Sequence, residues 1–227
     1  GNVFVSWHLA ANYQSEDWSI RLYYEHFYED HSGLLGYHKT KEVKAISYFP
    51  WYDGLYACEV TFPKNCILST LVYEFITSRM QSGPIVKYGN DPIVGKDNYY
   101  NNSVYQSWRH WGMAVCNPHH LSPIYSDIPT QNMIYTRIRS HHIGFNGSPT
   151  EQLNYRFLGS WTKHWGSWDD PLPDPLTQLS IMGELSYSPS KWTGWQFTST
   201  LALDRSRLIG NNIGLMLTLR KQGFIKQ

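Results

Sequence analysis

The feature that most constrains the fold is an alternation of apolar and polar residues that recurs in the last third of the chain. In residues 151–165 the apolar series is Leu153, Tyr155, Phe157, Trp161 and Trp165, and the polar series is Asn154, Arg156, Ser160, Thr162 and His164. The same period of two recurs at 178–188, 195–204 and 212–222. Successive side chains of a β-strand point to opposite faces, so each run predicts a strand with one apolar and one polar face.

Turn-forming stretches at 166–175, 188–191 and 210–212 separate these runs, which predicts an antiparallel meander. Less regular strands fit residues 2–11, 17–28, 55–62, 66–78 and 132–146, giving about nine strands in all. Helical spacing is hard to find, so we predict an all-β chain and a single domain over residues 1–227. Residues 79–131 have little periodicity, and we interpret them as a long loop, or as an insertion in the lumen or at the rim of a barrel.

Alternation alone does not say whether the apolar faces meet lipid or a protein core. Charged residues make up 16% of the chain, below the roughly 25% of soluble domains. The polar faces contain little Lys, the runs match tilted membrane strands in length, and Tyr and Trp collect near strand ends, as in interfacial girdles. These features favour a transmembrane β-barrel. A soluble β-sheet carbohydrate-binding protein, with its apolar faces packed inward, stays open.

The strand count limits how such a barrel can close. Bacterial barrels usually have an even number of strands and no free edge, because unpaired backbone groups in lipid are costly. Nine strands therefore indicate either a count that is off by one or a piece of a larger barrel.

Several segments carry a family resemblance: 23–33 (YYEHFYEDHSG), 73–75, 81–84, 95–102 (GKDNYYNN), 105–108, 139–144 (RSHHIG), 201–205 and 210–212. In number and order they resemble the Wzi family of capsule-assembly outer-membrane proteins, especially its Bacteroidetes-type members. The resemblance implies a barrel of about 18 strands in the bacterial outer membrane, of which this chain would be the C-terminal half. It also implies a lectin-like role in assembling or retaining capsular or surface polysaccharide. The implied partners are outer-membrane lipid, that polysaccharide and other envelope assembly proteins.

The stretch 97–111 is the best candidate for sugar contact. Aromatic rings stack on the apolar faces of sugars, and amide or carboxylate groups pair with hydroxyls. The alternative is an ordered loop whose Asn and Tyr residues fix its own turns or plug the lumen. The candidate residues are Asp97, Asn98, Tyr99, Tyr100, Asn101, Asn102, Trp108, Arg109 and Trp111.

Four charged residues fall on the polar side of the C-terminal runs: Arg156, Glu184, Asp204 and Arg220. If that side lines a lumen, they could form a polar path, hold a plug by ion pairing, or neutralise one another. A porin or solute channel is therefore an alternative function for the same fold.

Other classes of chemistry find little support. No GxSxG, HExxH or Walker-type motif occurs, so we predict a protein that is not an enzyme and uses no cofactor. Neighbouring histidines diverge on a strand, which argues against a metal site. A net charge of +1 argues against nucleic acid as a partner.

Cys58 and Cys66 flank a turn-like stretch and are either bridged, in an oxidising compartment, or two unpaired thiols.

Overall fold

The structure, a computed structural model, describes residues 5–28, 52–63, 67–81, 85–88, 91–94, 100–101, 109–115, 117–125 and 132–223. Nine strands form one antiparallel sheet: β1 (Val5–Gln14), β2 (Ser19–Tyr28), β3 (Gly54–Thr61), β4 (Thr70–Thr77), β9 (Ile138–Thr150), β10 (Leu153–Gly166), β11 (Pro171–Tyr187), β12 (Trp195–Ser206) and β13 (Gly210–Lys221). Each strand pairs with the next in this order, so the predicted all-β antiparallel meander is confirmed. Among the described strands, β1 and β13 each keep one edge without a partner.

The connection from β4 to β9 contains the two remaining pairs of strands. These are the hairpin of β5 (Ile85–Tyr88) with β6 (Asp91–Val94) and the hairpin of β7 (Arg109–His110) with β8 (Met113–Ala114). A 3-10 turn follows at Pro123–Tyr125. The stretch 79–131 therefore contains short local pairings, which its weak periodicity did not predict.

The predicted boundaries are wrong at two turns. Strand β11 begins at Pro171, inside the stretch predicted as a turn, and the turn before β13 lies at 207–209 rather than at 210–212. Pro171, Pro173 and Pro175 alternate, so their nitrogens, which carry no N–H, all point to the same edge of the strand. Strand β12 ends at Ser206, opposite Gln178, so it does not pair with residues 171–177, and proline is tolerated where a strand edge has no partner.

Strand register gives the sheet one polar and one apolar face. Directly paired residues of antiparallel strands lie on the same face. The polar face runs from His8 through Glu25, Leu55, Ile76 and Ser140, and continues through Thr162, Gln178 and Ser206. The opposite, apolar face carries Leu9, Tyr73, Ile143, Trp161, Leu179, Leu201 and Leu217.

Exposure is inverted relative to a soluble sheet. On the apolar face Ile213 is 79% exposed, Leu217 75% and Leu215 67%. Most buried side chains of the sheet instead lie on the polar face, among them Ile76, Ile138, Ser140, Thr162 and His164, whereas His26 and Thr77 are buried on the apolar face. No helix among the described residues is both long and apolar enough to cross a membrane.

The two ends of the sheet differ in their connections. One end, the short-turn end, has the connections 15–18, 62–69, 151–152 and 188–194. The other, the long-connection end, has 29–53, 78–137, 167–170 and 207–209. The segment 113–125 belongs to the longest of these, and the contact between the rings of His119 and His142 places it over the polar face.

Candidate functional site

A cavity of about 960 Å³ lies between the segment 113–125 and the long-connection end of strands β11 to β13. We refer to it as the rim cavity. Its polar lining includes Asn117, His119, Gln178, Arg207 and Asn212, and its less polar lining includes Met113, Leu121 and Tyr125. Amide groups, a guanidinium and an aromatic ring are the groups that bind sugar hydroxyls and sugar C–H faces. The rim cavity is therefore chemically suited to a saccharide.

A buried histidine fixes the segment that forms one wall of this cavity. His120 is 2% exposed, and its Nε2 lies 3.0 Å from Ser78 Oγ and 3.2 Å from the carbonyl oxygen of Thr136. Its Nδ1 lies 3.1 Å from the hydroxyl of Tyr100. A carbonyl only accepts, so Nε2–H donates to Thr136 and Nδ1 accepts from Tyr100. Burial lowers the pKa of His120 to about 3, so the ring is neutral at pH 7.

His119, next to it, faces the cavity. Burial lowers its pKa to about 4, and the neighbouring ring of His142 contributes to the lowering. A neutral imidazole can donate one hydrogen bond and accept another, as sugar hydroxyls require. The segment thus uses one histidine for anchoring and presents the other to the cavity.

A second anchor holds the turn after β4. Asp53 is fully buried, and its carboxylate accepts hydrogen bonds from the backbone N–H groups of Met80 at 3.0 Å and Gln81 at 2.5 Å. Gln81 has a φ of 48°, in the left-handed region that non-glycine residues rarely occupy. The bond to Asp53 stabilises this unusual backbone where the long connection leaves the sheet.

The sequence candidates for sugar contact are placed in different surroundings. Tyr100 is buried with its hydroxyl on His120, and the side-chain amide of Asn101 both donates to and accepts from the backbone of Met133, at 2.7 and 2.8 Å. Trp111 is 85% exposed at the tip of the β7–β8 hairpin. Burial lowers the pKa of Arg109 from its ordinary value. Asp97, Asn98, Tyr99, Asn102 and Trp108 lie outside the described residues.

In the described part of this set, only Trp111 presents a freely exposed ring. Tyr100 and Asn101 hold the loop together, as the alternative interpretation expects, and their role in sugar binding stays a prediction. The rim cavity was not predicted, because Gln178, Arg207 and Asn212 are more than fifty residues from 113–125 in sequence. Only the pairing of β4 with β9 and the following meander bring them together.

The four charged residues of the polar series share one face of the sheet. Arg156 and Glu184 are directly paired, with 3.2 Å between Nη2 and Oε2, and Thr200 Oγ1 donates to the same Oε2 at 3.2 Å. Asp204 accepts from Ser180 Oγ at 2.6 Å. Arg220 lies opposite Gln196 on the same face. That this face lines a lumen stays a prediction.

Two further predictions concern cysteine and metal. Cys58 is a free thiol that is partly buried, and Cys66 lies outside the described residues. Within the described ranges, no group of three or more His, Cys, Asp or Glu side chains is arranged to hold a metal ion.

Comparisons with models of protein families, with curated proteins and with solved structures find no match to this chain.

Proposed function

We propose that the chain forms part of a bacterial outer-membrane β-barrel that binds surface polysaccharide at its long-connection end. The observation that carries the proposal is the inverted exposure of the sheet. Large apolar side chains are exposed along one face, while most of the buried side chains of the sheet lie on the opposite, polar face.

The apolar face is difficult to reconcile with water. Burying one Leu or Ile side chain is worth about 1.5 to 3 kcal/mol, and exposed apolar patches on soluble proteins rarely exceed a few hundred Å². Leu201, Ile213, Leu215 and Leu217 lie together on β12 and β13, and no described residue covers them. Lipid would cover this face without a second protein layer.

Among the described strands, β1 and β13 each have one edge without a partner, which supports a larger assembly. In a bilayer, the backbone N–H and C=O groups of a free edge would lack partners at a cost of several kcal/mol each. We propose that further strands complete the barrel, in keeping with the resemblance to the Wzi family. In barrels of this class long loops face outward and short turns face the periplasm, so the rim cavity would face the cell exterior.

Membrane residence is tested by fractionating cells that produce the full-length protein. We expect it in the outer-membrane fraction, extracted only by detergent, and migrating as a compact species on a gel unless it is boiled. A protein that stays monodisperse without detergent would contradict the barrel and favour the soluble carbohydrate-binding protein.

Polysaccharide binding is tested at the rim cavity. The double variant Tyr125→Ala/Asn212→Ala removes one aromatic and one amide group from its lining, and we expect roughly tenfold or greater loss of affinity for surface polysaccharide from the source cells. The matched control is Asn154→Ala, on the polar face near the short-turn end, where the side chain accepts a hydrogen bond from Ser148 Oγ. The affinity is measured by binding purified protein in detergent to immobilised polysaccharide. Equal loss in both variants would exclude the cavity as the site.

A solute channel is the second candidate. The polar face carries a ladder of hydroxyl, carboxylate and guanidinium groups from Ser140 and Thr162 to Glu184 and Asp204. Such a ladder suits a wet lumen. Conductance across a planar bilayer that changes on Glu184→Gln would favour the channel over polysaccharide binding alone.

A further inference from the structure

The tip of the hairpin formed by β7 and β8 carries a tryptophan in an unusual backbone conformation. Trp111 and Gly112 are the two residues between the paired strands, and their φ angles are 50° and 76°. Two-residue hairpin turns with positive φ at both positions strongly prefer Asn-Gly, Asp-Gly or Gly-Gly, because a bulky side chain fits the left-handed region poorly. A tryptophan at the first position therefore costs conformational free energy.

Packing within the chain does not explain this tryptophan. Trp111 is 85% exposed, more than any other large hydrophobic residue that the structure describes. Its ring contact is with the neighbouring His110, at 6.2 Å between ring centres, and His110 is itself exposed. A ring that is exposed and held in a strained turn adds little to folding, so a ligand is the better explanation of its presence.

Hydrogen bonds hold the hairpin against the 3-10 turn that follows it. The backbone N–H of Ile124 donates to the carbonyl oxygen of Gly112 at 3.2 Å. The backbone N–H of Ala114 donates to Ser122 Oγ at 2.9 Å. The position of the hairpin tip relative to this turn is therefore fixed by bonds at two places.

An exposed apolar strip joins the hairpin tip to the rim cavity. We define the apolar strip as Trp111, Met113, Ile124 and Tyr125, of which Ile124 and Tyr125 are each 62% exposed. Met113 and Tyr125 also line the rim cavity, so the strip begins at the cavity and ends at Trp111. It belongs to the connection that lies over the polar face, and lipid on the opposite, apolar face would not reach it.

A polysaccharide is the ligand that suits both the cavity and the strip. The cavity offers amide and guanidinium groups for sugar hydroxyls, whereas the strip offers apolar surface for the C–H faces of sugars. The sugars of a polysaccharide are covalently linked, so a chain with some units in the cavity continues outside it. Along the strip, the next units meet an aromatic ring on a backbone that is already ordered, which lowers the entropic cost of binding.

We infer that Trp111 is the stacking platform of a second sugar subsite outside the rim cavity. The inference rests on the proposed polysaccharide binding and deepens it, because the protein then binds several consecutive sugar units of one chain. Affinity therefore depends on the length of the polysaccharide, up to the length that reaches from the cavity to Trp111.

The test titrates purified full-length protein in detergent with surface polysaccharide from the source cells, hydrolysed into fragments of increasing length. The affinity of the unaltered protein should rise with fragment length beyond the size that fills the cavity. Trp111→Asn should lower the affinity for long fragments roughly fivefold or more, and leave the affinity for the shortest fragments unchanged. Asparagine suits the left-handed backbone, so this variant removes the ring and keeps the turn.

Two control variants separate stacking from a structural effect. Trp111→Phe keeps an aromatic ring and should retain most of the length dependence. Trp192→Asn removes another exposed tryptophan, 57% exposed in the connection 188–194 at the short-turn end, and should bind every fragment as the unaltered protein does.

Each contrary outcome has a distinct meaning. If Trp111→Asn binds long fragments as tightly as the unaltered protein, or if Trp192→Asn loses as much affinity, the second subsite is overturned and the rim cavity stands. The variant Tyr125→Ala/Asn212→Ala is measured with the same fragments. If it binds the shortest fragments unchanged, or if the unaltered protein binds no fragment, the proposed site in the cavity fails and the inference fails with it.

Discussion

At the scale of single residues, buried polar groups decide how the longest connection meets the sheet. Asp53 holds the turn that leaves β4, and His120 holds the segment that covers the polar face. Neither residue belongs to a recognisable sequence motif. An Asp before a strand and a His in a loop are ordinary in composition, and their partners at Gln81 and Ser78 are distant in sequence. Such contacts become visible only once strand pairing is known.

Asp53→Asn should lower the free energy of unfolding by roughly 2 to 3 kcal/mol. The neutral amide oxygen accepts more weakly, and the NH₂ group that replaces the other oxygen would face the backbone N–H of either Met80 or Gln81, which donate to Oδ1 and Oδ2 of Asp53. Denaturant unfolding of the protein in detergent measures the change. Asp170→Asn, in an exposed turn, is the control and should stay within about 0.5 kcal/mol. Two equally stable variants would contradict the role of Asp53.

The neutral His120 predicts a pH dependence. Its pKa is lowered in the folded state, so between pH 6.5 and about 3 the unfolded chain binds a proton that the folded chain does not. The contribution of His120 to the free energy of unfolding is therefore fully present above pH 6.5. It falls on acidification by up to about 1.4 kcal/mol per pH unit. His120→Gln should reduce the slope of the free energy of unfolding against pH in this window, by the amount that corresponds to one bound proton. An unchanged slope would show that His120 does not set the acid sensitivity.

At the scale of elements, the alternation of apolar and polar residues predicts where the strands lie, but it does not predict where they begin and end. The faces of β10 to β13 are those that the sequence predicts, because a period of two leaves only the register to be fixed. The predicted start of β11 was wrong because its three prolines are typical of a turn. Prolines at alternating positions can instead lie along one unpaired edge of a strand. Likewise, Arg156 and Glu184 share a predicted face, but only register makes them an ion pair.

One glycine marks a close approach between elements. A Cβ on Gly147 would lie 1.8 Å from the carbonyl oxygen of Ile67, where the connection 62–69 meets β9. Gly147→Ala should therefore destabilise the protein by roughly 2 kcal/mol or more, since a backbone atom would have to move. Gly183→Ala is the matched control, because nothing lies within 4 Å of its added Cβ. Thermal unfolding in detergent compares the two, and similar midpoints would refute the close approach.

At the scale of the whole molecule, the two faces of the sheet define two environments. The sequence predicted the faces but left open what covers the apolar one, because a soluble sheet alternates in the same way. The structure shows large apolar side chains exposed on that face, such as Leu201 at 47%, and this exposure supports the proposal that lipid covers it. The rim cavity could not be predicted, since its walls come from strands and loops that only the complete sheet brings together.

Two neighbouring residues on β13 can test whether the apolar face meets lipid. Leu215 lies on the apolar face and Met216 on the polar face, and both are more than half exposed. In a bilayer, Leu215→Arg should reduce stability by about 2 to 4 kcal/mol, while Met216→Arg should change it little. Folding into vesicles followed by denaturant titration measures both. If Leu215→Arg instead improves solubility without detergent, the apolar face meets water.

The pairing of β4 with β9 also sets a kinetic limit. The two strands are joined by about sixty residues, whereas β10 and β11 are joined by four. Closing the longer loop costs about 2.4 kcal/mol more in chain entropy. Strands β9 to β13 can therefore form early through nearest-neighbour contacts, and docking of β4 onto β9 follows as a slower, non-local step. Until then the edge of β9 is unprotected, so the rate of assembly depends on how quickly the longest connection brings the two halves of the sheet together.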